Sequence, residues 1–241
     1  MDQRRRPPVK IAGIGDLHVA ETSAGTWREL FAEISEHAEV LALCGDLTNL
    51  GAPREAEILA DELSACTIPV VGVLGNHDFE CGQPDEVRGI LHDAGVFFLE
   101  GQAVEIEGIG FAGAKGFAGG FGARMLSPFG EPAIKQFVAE GVEEAMRLET
   151  ALRALGSERS VVVLHYAPIA ATVEGEPKEI FPFLGSSRLA ETIDRFGVSA
   201  ILHGHAHLGT YAARTEKGIP VYNCARSVEK PSGRPYALIE I

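Results

Sequence analysis

The run Ile68-Pro69-Val70-Val71-Gly72-Val73-Leu74 leads straight into Gly75-Asn76-His77-Asp78, and the reading of this join decides the fold. A β-branched apolar run reads as a buried strand. Three polar, metal-competent side chains directly after it are costly to bury unless something pairs or binds them. The same design recurs along the chain. Val9 to Gly15 reads as a strand ending at Asp16-Leu17-His18, and Glu39 to Cys44 runs into Gly45-Asp46. Ser160 to Leu164 ends in His165, and Ser199 to Leu202 ends in His203-Gly204-His205-Ala206-His207. We therefore read a set of strands whose ends share one site.

Helical patterns alternate with the first strands. Trp27, Leu30, Phe31 and Ile34 fall on one helix face; Ala56, Leu59, Ala60 and Leu63 do so after Pro53; Val87, Ile90, Leu91 and Ala94 do so after Pro84. This β-α-β-α-β-α rhythm predicts a mostly parallel sheet with covered faces. From Val96 to Ala114 it gives way to three short strands with Gly turns, which predicts a mixed or second sheet there. A long helix is expected over Glu131 to Leu155, and further short strands around 210–213, 219–223 and 236–241. Residues 115–130 and 170–187 read as loops.

Bulk properties narrow the function. With 241 residues, 46% hydrophobic and 23% charged, the chain is expected to form one domain over 1–241. Its apolar runs are far shorter than the roughly 20 residues of a spanning helix. Arg4-Arg5-Arg6 is followed by Pro7-Pro8 and only a short apolar run, so a frayed N-terminus on a cytoplasmic protein is expected. The four cysteines lack CxxC spacing and read as buried free thiols. A net charge of −13 argues against a membrane-surface or non-specific nucleic-acid binder. A phosphate ester substrate stays open, because bound cations invert the local field.

Six of the eight histidines (18, 77, 165, 203, 205 and 207) lie at or just past strand ends, together with Asp16, Asp46, Asn76 and Asp78. In an open α/β sheet that edge forms the ligand crevice. The i, i+2 pairs Asp16/His18 and His205/His207 are expected to point the same way from extended backbone. Mixed N/O donors suit Mn, Fe, Zn, Co or Ni better than a thiolate or all-oxygen site. Seven ligands are too many for one ion and about right for two.

Asp16-x-His18, Gly45-Asp46, Gly75-Asn76-His77-Asp78, His165 and Gly204-His205-Ala206-His207, in this order, resemble the signature of the calcineurin-like metallophosphoesterases. The resemblance implies a four-layer αββα sandwich, an α/β fold with two mixed sheets, and a site for two divalent transition-metal ions. It implies that Asp16, His18 and His207 hold one ion, that Asn76, His165 and His205 hold the other, and that Asp46 bridges them. A metal-bridging hydroxide would then attack phosphorus, with His77 assisting the leaving group. Supporting positions are Asp78, Asn49 and His203. Lys115 and Arg124 are candidate phosphate contacts on the substrate rim, with Phe117 and Phe121 as stacking surfaces.

Asn49-Leu50 replaces the Asp-Arg pair of phosphoprotein phosphatases and the tyrosine ligand of purple acid phosphatases, which leaves open what orients His77. Asn76-His77-Asp78 with His165-Tyr166-Ala167-Pro168 is more similar to the bacterial phosphodiesterase-like branch. The resemblance thus implies a phosphodiesterase acting on a small-molecule ester. The alternatives are a phosphomonoesterase, a nuclease disfavoured by the acidic balance, or a metal-binding scaffold without turnover.

Overall fold

The computed structural model describes residues 7–241; Arg4-Arg5-Arg6 lies outside the described residues. The strands are β1 (Lys10–Ile14), β2 (Val40–Cys44), β3 (Val70–Val73), β4 (Val96–Phe98), β5 (Ala103–Ile106), β6 (Ile109–Ala114), β7 (Ser160–Leu164), β8 (Ala200–His203), β9 (Ala212–Arg214), β10 (Pro220–Asn223) and β11 (Ala237–Glu240). The main helices are α1 (Arg28–His37), α2 (Pro53–Leu63), α3 (Pro84–Asp93), α4 (Pro132–Ala154), α5 (Phe181–Leu184) and α6 (Ser187–Ile193).

Two mixed sheets form. One runs β11-β1-β2-β3-β4, parallel except for β11 against β1. The other runs β5-β6-β7-β8-β10-β9, with a parallel body and antiparallel edges at β5 and β9. The change of rhythm after α3 marks the crossing between sheets. It falls after β4, which still closes the first sheet, rather than at Val96. The last strand, β11, returns from the second sheet to pair with β1.

Strand parity explains the layering. In β2, Val40, Ala42 and Cys44 face the second sheet, among Val161, Val163 and Leu202. Leu41 and Leu43 face outward, onto Phe31 and Ile34 of α1 and Leu59 of α2. In the second sheet Val162, Leu164 and Ile201 turn out toward Leu148 and Leu152 of α4 and Leu189 of α6. Strands buried on both faces are near-continuous apolar runs, as β2 is and as β7 is after Ser160. The result is a four-layer αββα sandwich. No helix among the described residues is long and apolar enough to cross a membrane. All four cysteines are free thiols, but only Cys44 and Cys224 are buried; Cys66 is half-buried and Cys81 exposed.

Candidate metal centre

The parallel strands β1, β2, β3, β7 and β8 end along one side of the sandwich, and the loops that follow them meet there. Asp16, His18, Asp46 and His207 form one group whose donor atoms all lie within 4.8 Å of one another; Asp46, His165 and His205 form a second. Asp46 belongs to both. Its Oδ1 lies 3.3 Å from His165 Nε2, and its Oδ2 lies 3.9 Å from His18 Nε2. Asn76 Oδ1 joins the second group, 2.9 Å from His165 Nε2. His207 Nε2 sits 2.9 Å from Asp16 Oδ1 and 3.4 Å from His18 Nε2.

The backbone reaches this arrangement differently from the sequence expectation. Asp16, His18, Asp46 and His205 have φ of 59°, 47°, 50° and 69°. They are left-handed, not extended, so the i, i+2 argument for convergence is overturned. Each such conformation costs on the order of 1 kcal/mol or more and persists where the surroundings enforce it. Here Asp16 N donates to the Gly45 carbonyl (2.9 Å) and His18 N to the Asp46 carbonyl (3.0 Å), lacing the two loops together. Glycine is required where they close up: a Cβ on Gly75 would lie 2.2 Å from Asp46 Oδ1, and one on Gly204 would lie 2.6 Å from Asp16 Oδ2.

The imidazoles are aimed by their other nitrogens. His165 Nδ1–H donates to the Cys44 carbonyl (2.9 Å) and His205 Nε2–H to the Phe183 carbonyl (3.2 Å). A carbonyl only accepts, so the nitrogen facing it carries the hydrogen, and in the neutral ring the inward nitrogen is the lone pair a metal needs. Burial holds the His205 imidazole neutral, with its pKa near 3, and also pushes His18 down. Burial by itself would raise the Asp16 carboxyl, but the His207 hydrogen bond and the His165 imidazole leave it below the usual range. The same Asp16 bond raises His207. Around His165 Nε2 the Asp46 and Asn76 oxygens stand 3.3 and 2.9 Å away. His18 Nδ1 is buried without a partner. Each group could hold a divalent cation, and the N/O donor set fits such ions.

His77 stands at the open side. Its Nδ1–H donates to the Asn49 main-chain carbonyl (2.7 Å), and its Nε2 lies 4.0 Å from Asp46 Oδ2. Asn49 thus acts through its backbone, which answers what orients His77 without an arginine or tyrosine nearby in sequence. Asp78 is fully buried and accepts from Leu47 N, Thr48 N, Thr48 Oγ1 and Gly75 N at 2.6–3.2 Å, tying the loop after β2 to the loop after β3. Its burial pushes the carboxyl pKa up to about 6, against the hydrogen bonds from Gly75 and Thr48. Asp78→Ala should lower stability of the metal-free protein by about 3 kcal/mol, because several buried donors lose their acceptor. Denaturant midpoints measure this, and a loss below about 1 kcal/mol would show that water replaces the carboxylate.

His203 is buried away from the donor groups. Its Nδ1–H donates to the Gly204 carbonyl (2.8 Å) and its Nε2 meets Thr172 Oγ1 (2.8 Å), pinning the 170–172 turn to β8. Burial lowers its pKa to about 4. Lys115 departs from its expected place on the rim. Its ammonium turns inward, 3.8 Å from Glu144 Oε1 and among the rings of Phe79, Phe117 and Tyr166. Phe117 and Phe121 pack into apolar clusters instead of offering stacking faces. Arg124 is exposed on a turn at 122–124, and among the described residues nothing ties it to the donor groups.

Two supports escaped the sequence reading. Asn223 Nδ2 donates to the Ala206 carbonyl (2.7 Å), fixing the residue between His205 and His207. It ends an apolar strand, the same signal the other site residues gave. Phe183 contributes through its carbonyl, which no side-chain pattern reports.

Comparison with known proteins agrees with this fold. The structure of TT1561 of Thermus thermophilus superposes with a TM-score of 0.57 at 18% identity, over 92% of each chain. A purple acid phosphatase from yellow lupin seeds superposes at 0.56, with 13% identity, over 98% of this chain and 48% of that one. The sulfate thiohydrolase SoxB of Thermus thermophilus superposes at 0.50, with 12% identity, over 95% and 54%. This chain thus spans about half the length of the last two. At these identities the likeness shows the fold alone, which one phosphatase and one sulfate thiohydrolase share. No curated protein sequence matches. The calcineurin-like phosphoesterase model matches residues 9–209, which contain every donor described above, and the chain belongs to that family.

Proposed function

We propose that the chain is a phosphodiesterase dependent on two divalent transition-metal ions, drawn from Mn, Fe, Zn, Co and Ni. The observation that carries this reading is Asp46, whose two oxygens face two separate donor groups while His77 Nε2 faces the same carboxylate from the open side. Asp16, His18 and His207 would hold one ion, and Asn76, His165 and His205 the other. Two ions held there supply polarisation of the phosphoryl oxygens and activation of a water. The chain's own part is to fix the two groups rigidly and to hold a proton. With Nδ1–H committed to the Asn49 carbonyl, the imidazolium form of His77 carries its second proton at Nε2, where a departing alkoxide needs it. The inward turn of Lys115 favours a diester, since a monoester dianion would draw more benefit from a cation on the rim. Free thiols at all four cysteines suit a reducing, cytoplasmic setting.

The test is to strip the protein with chelator, reload it with each metal and count ions by mass spectrometry. Rates then follow on bis(4-nitrophenyl) phosphate, 4-nitrophenyl phosphate and cyclic nucleotides. Two ions per chain and faster diester turnover are expected. A strong monoester preference overturns the diesterase assignment, and two bound ions without turnover of any ester favours a scaffold.

A further inference from the structure

Where the edge of the first sheet meets the second, a cavity of about 70 Å³ is lined by Phe79, Arg88, Glu100, Lys115, Glu144 and Arg147. Glu100 follows β4, Lys115 follows β6, Arg88 belongs to α3, and Glu144 and Arg147 belong to α4. The cavity stands beside the metal centre without sharing its donors. The Lys115 carbonyl accepts from His165 N and Tyr166 N (both 3.1 Å), and Phe79 ends the turn that begins at His77. At roughly 10–15 Å³ for each water, the space holds a few waters or one tetrahedral oxyanion. A base or a sugar needs far more room, since ligand pockets start near ~300 Å³.

The walls are short of acceptors. Lys115 is 11% exposed, and among the described residues its ammonium makes one hydrogen bond, to the Gly116 carbonyl (2.8 Å). Glu144 Oε1 stands 3.8 Å away, beyond hydrogen-bond reach. Both Glu144 oxygens are already used, by Arg147 Nη1 (3.0 Å) and Gly116 N (2.9 Å). Arg88 pairs through Nη1 with Asp85 outside the cavity (2.6 Å) and through Nη2 with Glu100 Oε2 (2.7 Å). Its Nε–H is left buried without an acceptor, and Glu100 Oε1 is left buried without a donor. Buried polar groups are seldom unpaired in native proteins. Three cations and two carboxylates line the space, so the walls carry one positive charge in excess on a chain of net −13.

A ligand that satisfies this set is small and anionic, accepts from Lys115 and from Arg88 Nε, and donates one O–H to Glu100. Free phosphate meets each demand. Near neutral pH it keeps at least one proton, whereas a phosphate monoester loses its last with a pKa near ~6 and sulfate has none. Opposite Glu100, an oxyanion without a proton would set acceptor against acceptor, so the carboxylate selects as well as binds. We propose that this cavity is a binding site for inorganic phosphate, separate from the metal centre, with Lys115 and Arg88 as donors and Glu100 as acceptor of the phosphate O–H. The assignment does not depend on which ester the metal centre hydrolyses.

Titration calorimetry with phosphate, sulfate and methyl phosphate at pH 8 tests it. The metal-loaded protein is measured first, then the chelated protein, with the fold of each checked by circular dichroism. One phosphate per chain should bind in both forms, because only oxyanions held by the metals are lost with chelator. Sulfate and methyl phosphate should bind this site at least about tenfold more weakly than phosphate. Glu100→Gln, whose amide donates, should bring sulfate to within about threefold of phosphate. Lys115→Met and Arg88→Gln, read in both forms, should each weaken phosphate at least about tenfold. Phosphate binding that vanishes with chelator from a folded chain overturns the site, and so does binding that both cation variants leave intact. Equal affinity for phosphate and methyl phosphate, or discrimination against sulfate that survives Glu100→Gln, overturns the role of Glu100 and with it the selection of free phosphate.

Discussion

Replacing His77 by alanine is expected to leave both metal groups filled and to reduce turnover by about 10²- to 10⁴-fold, the usual contribution of a positioned proton donor. The geometry separates His77 from the ligands. Its Nδ1–H is spent on the Asn49 carbonyl, its Nε2 stands 4.0 Å from the nearer Asp46 oxygen, and it belongs to neither donor group. Its main-chain N–H donates to Asp46 Oδ1 (2.9 Å), a contact alanine keeps. The loss should depend on the leaving group. An ester that expels 4-nitrophenolate needs little protonation and should suffer least, while an alkyl ester, which expels a basic alkoxide, should suffer most. A uniform loss across leaving groups would mean that His77 binds the phosphoryl group instead of donating a proton. Loss of a metal from His77→Ala would place it among the ligands.

Asp46→Asn should act on metal binding first. The carboxylate is the one side chain common to both groups, so the amide removes a charge that both ions would share. Loss of a hydrogen-bonding partner behind a ligand already costs about 10- to 100-fold in affinity; loss of this shared charge should cost at least about 100-fold. By linkage, the extra stability conferred by saturating metal then falls by about 2.7 kcal/mol. The metal-free protein should respond in the opposite sense or hardly at all, because Asp16 and Asp46 are both buried carboxylates beside each other's ligands. Thermal unfolding with and without metal separates the two effects. If Asp46→Asn retains two tightly bound ions, the carboxylate does not bridge.

Much of this site was legible because its chemistry contradicts its surroundings. An apolar strand that ends in Asn76-His77-Asp78 stands out, and so do the ends at Asp16, Asp46, His165 and His205. Asn223 carried the same mark in milder form. Residues whose part is played by the main chain carried none. Asn49 and Phe183 position imidazoles with carbonyls, and every residue has a carbonyl. Lys115 was misplaced for a related reason: a cation in a loop looks available until Glu144 of α4 is folded beneath it.

By itself, then, the sequence determined the strand order and the longer helices (though not α5, within the expected loop at 170–187), the apolar parity that makes β2 and β7 buried layers, and which donors stand at strand ends. These are local properties, set by side-chain periodicity and by the cost of burying polar groups. Only the tertiary structure decided that β4 stays in the first sheet, that β11 crosses back to β1, and that the ligand loops run through left-handed backbone at Asp16, His18, Asp46 and His205. It also decided that Asp46 turns one oxygen to each group. Those outcomes depend on contacts between segments far apart in the chain. The His165 ring on Cys44 bridges 121 residues, and the His205 N–H on Asp16 bridges 189. No pattern within a single segment encodes a partner at that distance.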